Sequence, residues 1–98
     1  MTISKELKGT ELKIALEGRL DTTTAPDLES VIKDSVSGVT DLILDFEKLD
    51  YISSAGLRVL LSAQKIMNRQ GSMKVVHVNE TVNEVFEVTG FSDILTIE

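Results

Sequence analysis

The amino-acid sequence predicts an α/β fold: a mixed, mostly parallel sheet of four to five strands with about three main helices, in the order β-β-α-β-α-β-α-(β). Three observations carry this. Two runs with a period of two flank Gly9-Thr10, the pattern of a β-hairpin. Further along, apolar runs of strand length alternate with stripes of helical period, as expected for parallel pairs joined by right-handed crossovers. The chain has 98 residues, so residues 1–98 are expected to form one domain.

In the first run Ile3, Lys5 and Leu7 share a face and alternate with Thr2, Ser4 and Glu6. Leu12, Ile14 and Leu16 resume the alternation after Gly9, whose missing side chain tolerates the positive φ of a tight turn. Gly18-Arg19 is expected to end this strand. Leu28, Val31, Ile32 and Val36 then fall at helical spacing. Thr24 is placed to cap that helix, Pro26 suits its first turn, Asp27 favours its dipole, and Gly38 is the expected stop.

The segment 41–46 is a short apolar run, consistent with a buried central strand, and Tyr51 and Ile52 prolong its character. Ser53-Ser54 opens a second helical pattern through Leu57, Leu60, Leu61, Gln64 and Met67, with Gly71 as its stop. Residues 73–78 are rich in β-branched side chains and read as another buried strand. Val82, Val85, Phe86 and Thr89 form a third stripe, with Thr81 and Glu84 spaced as a capping box and Gly90 at its end. Ile94, Leu95 and Ile97 predict a last short strand or docking segment.

Composition narrows the function. A formal net charge of −6 disfavours nucleic acid, whose binding rests on neutralising phosphates, and equally disfavours anionic lipid. There are no cysteines, so disulfides and thiolate metal sites are excluded, which fits a cytoplasmic location. Residues 1–8 alternate polar and apolar side chains and read as neither a signal peptide nor a membrane span.

Chemistry concentrates where strands give way to helices. Residues 49–58 carry small and hydroxyl side chains at such a junction. In open α/β sheets the carboxyl ends of the strands form the usual functional edge, and a helix start there presents free N–H groups that favour an anion. Ser53 or Ser54 is therefore either a helix cap or a modification site. Residues 19–25 form a second strand-to-helix loop, in which Thr23 or Thr24 is placed to cap and Asp21 lies near the helix start. If both loops share one sheet edge, Asp21 and the threonine hydroxyls surround Ser54.

Other constellations are poor. His77, the one histidine, is read as a mid-strand core or sheet-face residue, not a base, because no nucleophile accompanies it. Asp45 and Asp50 flank a strand end, but no acidic pair follows the first strand to hold magnesium for a phospho-acceptor aspartate. Lys65, Arg69 and Lys74 read as a solvated face. No phosphate-binding or dinucleotide loop is present. The expectation is thus a non-enzyme with no catalytic residue, cofactor or metal.

The run Asp45-Phe46 followed by Leu49-Asp50-Tyr51-Ile52-Ser53-Ser54-Ala55-Gly56-Leu57 resembles the signature of STAS domains, especially bacterial anti-sigma factor antagonists. Gly18-Arg19-Leu20-Asp21-Thr22-Thr23-Thr24-Ala25 is similar to that family's first loop, and residues 85–94 to its third helix and terminal turn. The resemblance implies the STAS fold and a partner-switching regulator. Its acceptor serine lies two residues before the motif's glycine, which is Ser54 before Gly56. It implies an unphosphorylated form that binds an anti-sigma factor, itself a serine kinase of the GHKL type, and so frees a sigma factor. Phosphorylation at Ser54 ends the binding, and a PP2C-type phosphatase restores it. The partner surface would comprise Asp21, Thr22, Thr23, Ser53, Ser54, Ala55, Gly56 and Leu57 on a monomer or weak dimer. Ser53 stands where many antagonists have Asp, which makes it the second-choice acceptor; Ala55 stands where Ser or Thr is common. The alternative is a constitutive STAS subunit of a transport or other signalling complex, never phosphorylated.

Overall fold

The computed structural model describes residues 1–98. Strands β1 (Thr2–Lys8) and β2 (Glu11–Leu20) form the hairpin; helix α1 (Ala25–Ser35), strand β3 (Asp41–Ile52), helix α2 (Ser54–Gln70), strand β4 (Ser72–Val76) and helix α3 (Glu80–Thr89) follow. The sheet order is β1-β2-β3-β4, antiparallel in the hairpin and parallel thereafter. The hairpin turns on Gly9 at φ +62°, with Lys8 paired to Glu11.

One face of the sheet carries the core. Leu12, Ile14 and Leu16 of β2, Leu42, Leu44 and Phe46 of β3, and Met73 and Val75 of β4 are buried there. Leu28 and Ile32 of α1, Leu57, Leu60, Ala63 and Met67 of α2, and Val82 and Phe86 of α3 join the same cluster. The opposite face stays open: Lys13 and Glu17 are exposed, and Ala15, Ile43 and Val76 only partly covered. No helix is long and apolar enough to cross a membrane.

Several expectations change in detail. The second strand does not stop at Gly18-Arg19. It runs to Leu20 because Gly18, at φ +109°, absorbs an irregularity in its pairing with β3. The register also jumps between Ala15, which faces Asp45, and Glu17, which faces Lys48. That extra β3 residue lets Leu44, Asp45 and Phe46 all be buried in succession, and it explains how a strand with so many charges reaches Ile52. Helix α1 ends before Gly38, at a cap on Val36. At the other end of α2, Gly71 closes the helix in extended backbone; a Cβ there would collide with the Thr40 carbonyl.

The capping box is not used. Asn79, not Thr81, caps α3: its side chain accepts from the Val82 N–H at 2.8 Å and donates to the Leu49 carbonyl at 2.7 Å. That second bond ties the cap to β3, a tertiary advantage Thr81 lacks. His77 is not mid-strand. It follows β4 in left-handed backbone at φ 57°, with its ring exposed. The expected final strand shrinks to one parallel bridge, Ile97 to Val75, after a turn at Phe91–Asp93, while Leu95 docks into the core.

Candidate functional site at the carboxyl ends of β2 and β3

Strands β2 and β3 finish level, with Leu20 paired to Ile52. The Ser53 N–H donates to the Leu20 carbonyl at 2.9 Å, so the two strand-to-helix loops are joined by backbone. The first turn of α2 presses on this joint. A Cβ on Gly56 would stand 2.7 Å from Leu20 Cγ and 2.8 Å from Ile52 Cγ1, so only glycine fits at this separation. The structure thus gives the physical reason for a glycine in a helix, where it costs about 0.5–1 kcal/mol relative to alanine.

Asp21 organises the first loop. Its Oδ1 accepts from the Thr23 N–H at 3.0 Å, the Thr23 hydroxyl at 2.8 Å and the Thr24 N–H at 3.2 Å. These bonds, the Thr23 hydroxyl foremost, hold the carboxyl below its ordinary range. Thr24 occupies the cap position of α1 but makes no side-chain cap bond. Its hydroxyl turns back, donating to the Arg19 carbonyl at 2.8 Å and accepting from the Asp21 N–H at 2.8 Å. Asp21 does the local work expected of Thr24, because a carboxylate reaches two successive N–H groups that a hydroxyl cannot.

At the start of α2, Ser53 is extended, and the Leu57 N–H bonds its carbonyl at 3.0 Å. The Ser53 hydroxyl makes no capping bond and is enclosed without a partner. The N–H groups of Ser54, Ala55 and Gly56 precede the first intrahelical bond, and the first turn contains no acidic residue. This leaves the positive end of the helix uncompensated beside Ser54, which is exposed.

The predicted surface residues therefore divide by depth. Thr22, Thr23 and Ser54 are exposed, Asp21, Ser53 and Ala55 are half-buried, and Gly56 and Leu57 lie beneath as support. Thr22 and Ala55 border a shallow recess between α1 and α2, shared with Pro26, Glu29 and Arg58. Two residues of these stretches, not among the predicted surface residues, join them. The Arg19 guanidinium lies 4.7 Å from the centre of the Tyr51 ring and its Nε 3.9 Å from Asp21. Both residues sit at strand ends, where alternation gives no sign of which side chains meet. The residues with metal-ligand chemistry, Asp45, Glu47 and His77, gather on the open sheet face away from this edge.

A four-stranded sheet covered on one face, with two strand-to-helix loops joined at its carboxyl edge, defines a small α/β domain. The STAS domain family model matches residues 2–98, and the chain belongs to that family. A Bordetella bronchiseptica protein, BtrV, that bears the name of an anti-sigma factor antagonist is 39% identical over 84 residues, covering 84% of this chain and 72% of its own. The anti-sigma-B factor antagonist of Staphylococcus aureus is 26% identical over 87 residues, covering 87% of this chain and 81% of its own. Among solved structures, the anti-sigma factor antagonist SpoIIAA in its unphosphorylated form superposes with a TM-score of 0.86 at 22% identity, covering 99% of this chain and 88% of that one. The Bacillus SpoIIAA in its phosphorylated form gives 0.78 at 21% identity, covering 99% and 91%. At such identities the structural likeness is one of fold. By homology the chain falls with the anti-sigma factor antagonists, whose names are those of regulators.

Proposed function

We propose that this protein is a phospho-switched anti-sigma factor antagonist. Unphosphorylated, it binds an anti-sigma factor that is also a GHKL-type serine kinase, through the edge formed by Asp21, Thr22, Thr23, Ser53, Ser54 and Ala55. Phosphorylation of Ser54, with Ser53 as the second acceptor, ends that binding, and a PP2C-type phosphatase reverses it. The chain itself catalyses nothing in this cycle.

The observation that carries the proposal is the setting of Ser54: an exposed hydroxyl on the first residue of α2, beside N–H groups with no acceptor and no acid in the turn. A phosphoserine adds about −1.5 to −2 charges. Next to a helix N-terminus such charge is favourable by about 0.3–1 kcal/mol, so the folded domain tolerates it. Inside a docked interface like-charge contact costs several kcal/mol, and each ~1.4 kcal/mol is tenfold in affinity. One modification therefore changes binding without refolding the chain. The Ser53 hydroxyl, enclosed, is the poorer acceptor for a kinase. SpoIIAA, a structure of the same fold, exists in both phosphorylated and unphosphorylated forms, which supports the reading.

The test is phosphosite mapping by mass spectrometry after incubation with ATP and source-organism lysate, with Ser54→Ala in parallel, followed by titration of Ser54→Asp against the captured kinase. Phosphate on Ser54 and a loss of at least tenfold in affinity for Ser54→Asp are expected. A lysate with active serine kinases that leaves the chain unmodified would favour the constitutive subunit instead. Undiminished binding by Ser54→Asp would refute the switch.

A further inference from the structure

On the open face of the sheet, about 20 Å along β3 from Ser54, Asp45, Glu47 and His77 converge so that one ligand atom from each lies within 4.8 Å of the others. His77 Nδ1 is 2.9 Å from Asp45 Oδ1. Around a transition-metal ion with bonds of about 2.0–2.1 Å, neighbouring ligand atoms stand about 2.9–3.4 Å apart. The imidazole and the Asp45 carboxylate already have that spacing, and Glu47 is exposed enough to close the remainder by side-chain rotation. We infer that these three residues form a binding site for a divalent transition-metal ion of the zinc class, linking β3 to the segment after β4.

The surroundings fit a dication. Asp45 is 8% exposed, one of two buried polar residues, and a carboxylate so placed needs compensation. It receives the Glu47 N–H at 3.0 Å and meets the His77 ring at 2.9 Å on Oδ1, and the Lys13 ammonium at 3.5 Å on Oδ2. Two carboxylates, Asp45 and Glu47, stand against one lysine there. The Lys13 contact falls on the oxygen away from His77. His77 is held across the strand end by its left-handed backbone, the sole positive φ outside glycine. A recess bordered by Ser4, Glu17 and Lys48 opens beside Asp45 and Glu47, giving solvent access to the remaining coordination positions. One imidazole with two carboxylates and no thiolate suits zinc or nickel over magnesium or calcium, which prefer oxygen alone.

The chain contains one histidine and no cysteine, which makes the test clean. The untagged full chain would be titrated with Zn²⁺ while the imidazole proton resonances are followed by NMR and the stoichiometry by competition with a chromophoric chelator. Expected are one ion per chain, displacement of the His77 resonances, and a rise in Tm. His77→Asn, chosen because Asn tolerates the left-handed backbone, and Glu47→Gln should each weaken binding by about tenfold or more. Circular dichroism verifies that both variants fold. No saturable binding by about 1 mM Zn²⁺, binding unchanged in folded His77→Asn, or displacement by equimolar Mg²⁺ would each overturn the assignment.

Discussion

Replacing Gly56 by alanine tests how α2 is seated at the site. The added Cβ would lie 2.7 Å from Leu20 Cγ, 2.8 Å from Ile52 Cγ1 and 3.0 Å from Leu20 Cδ2. Carbon atoms rest at about 3.5–4.0 Å, so roughly 1 Å has to be found. Both neighbours are buried, Leu20 at 0% and Ile52 at 1% exposure. Overpacking of this kind costs about 1–3 kcal/mol, and two contacts under 3.0 Å with buried side chains place this case at the upper end. The better helix propensity of alanine returns about 1 kcal/mol at most. A net loss of about 2 kcal/mol is expected, which lowers a urea midpoint by about 1 M for a chain of this size. The double variant isolates the cause. In a Leu20→Ala background the contacts with Leu20 Cγ and Cδ2 disappear while that with Ile52 Cγ1 remains, so the cost of Gly56→Ala should fall by about 1 kcal/mol without vanishing. A Gly56→Ala midpoint at or above that of the parent, or the same cost in both backgrounds, would refute this account of the glycine.

Further outcomes follow from other named contacts. Asn79→Ala removes the α3 cap and its bond to Leu49, and urea unfolding should show a loss of about 1–2 kcal/mol; Thr81→Ala, outside the cap, should cost less than half of that. Asp21 is held below its ordinary carboxyl value of 3.8, so its contribution to stability is complete above that pH and disappears as pH falls through the folded-state value. Asp21→Asn should therefore be less stable than the parent at neutral pH, and the gap between their urea midpoints should narrow from about pH 5 to pH 2; a gap independent of pH would contradict the assignment. Tyr51→Leu keeps an apolar side chain but removes the ring beneath Arg19, and should cost about 0.5–1 kcal/mol by the same assay.

Much of this architecture is legible in the sequence because two periodicities are physically distinct. Leu12, Ile14 and Leu16 alternate and are all buried; Leu57, Leu60 and Met67 keep helical spacing and are buried too. The α2 entry is equally legible, since Ser53-Ser54 followed by Ala55-Gly56 carries the small and hydroxyl residues such a junction needs. What escaped depends on contacts between segments. Asn79 and Thr81 are both capping residue types, and only the bond from Asn79 to Leu49 decides between them. Thr24 and Asp21 compete for the same N–H groups, and the Arg19 carbonyl draws the threonine hydroxyl away. The charges of Asp45, Glu47, Lys48 and Asp50 obscure β3, whose irregular pairing breaks the alternation that would have revealed it. His77 reads as a strand residue because it follows a β-branched run, and histidine enters left-handed backbone too seldom for its type alone to signal it.

The bond from Ser53 N–H to the Leu20 carbonyl, with Gly56 wedged against the same leucine, makes the two loops one solid body. Association ordinarily costs about 0.5–1.5 kcal/mol for each rotamer-rich side chain that must be immobilised, and more for loops that must be ordered. Here the backbone freedom of both loops is already spent in folding, and Thr22, Thr23 and Ser54, the exposed residues of the predicted surface, have short side chains. A partner docking at the proposed edge would meet a preformed template, and its affinity would be governed by fit at contact, not by recruitment of a mobile loop. Its dissociation rate should respond steeply to a change of a few atoms at the surface while the backbone on either side stays where it was.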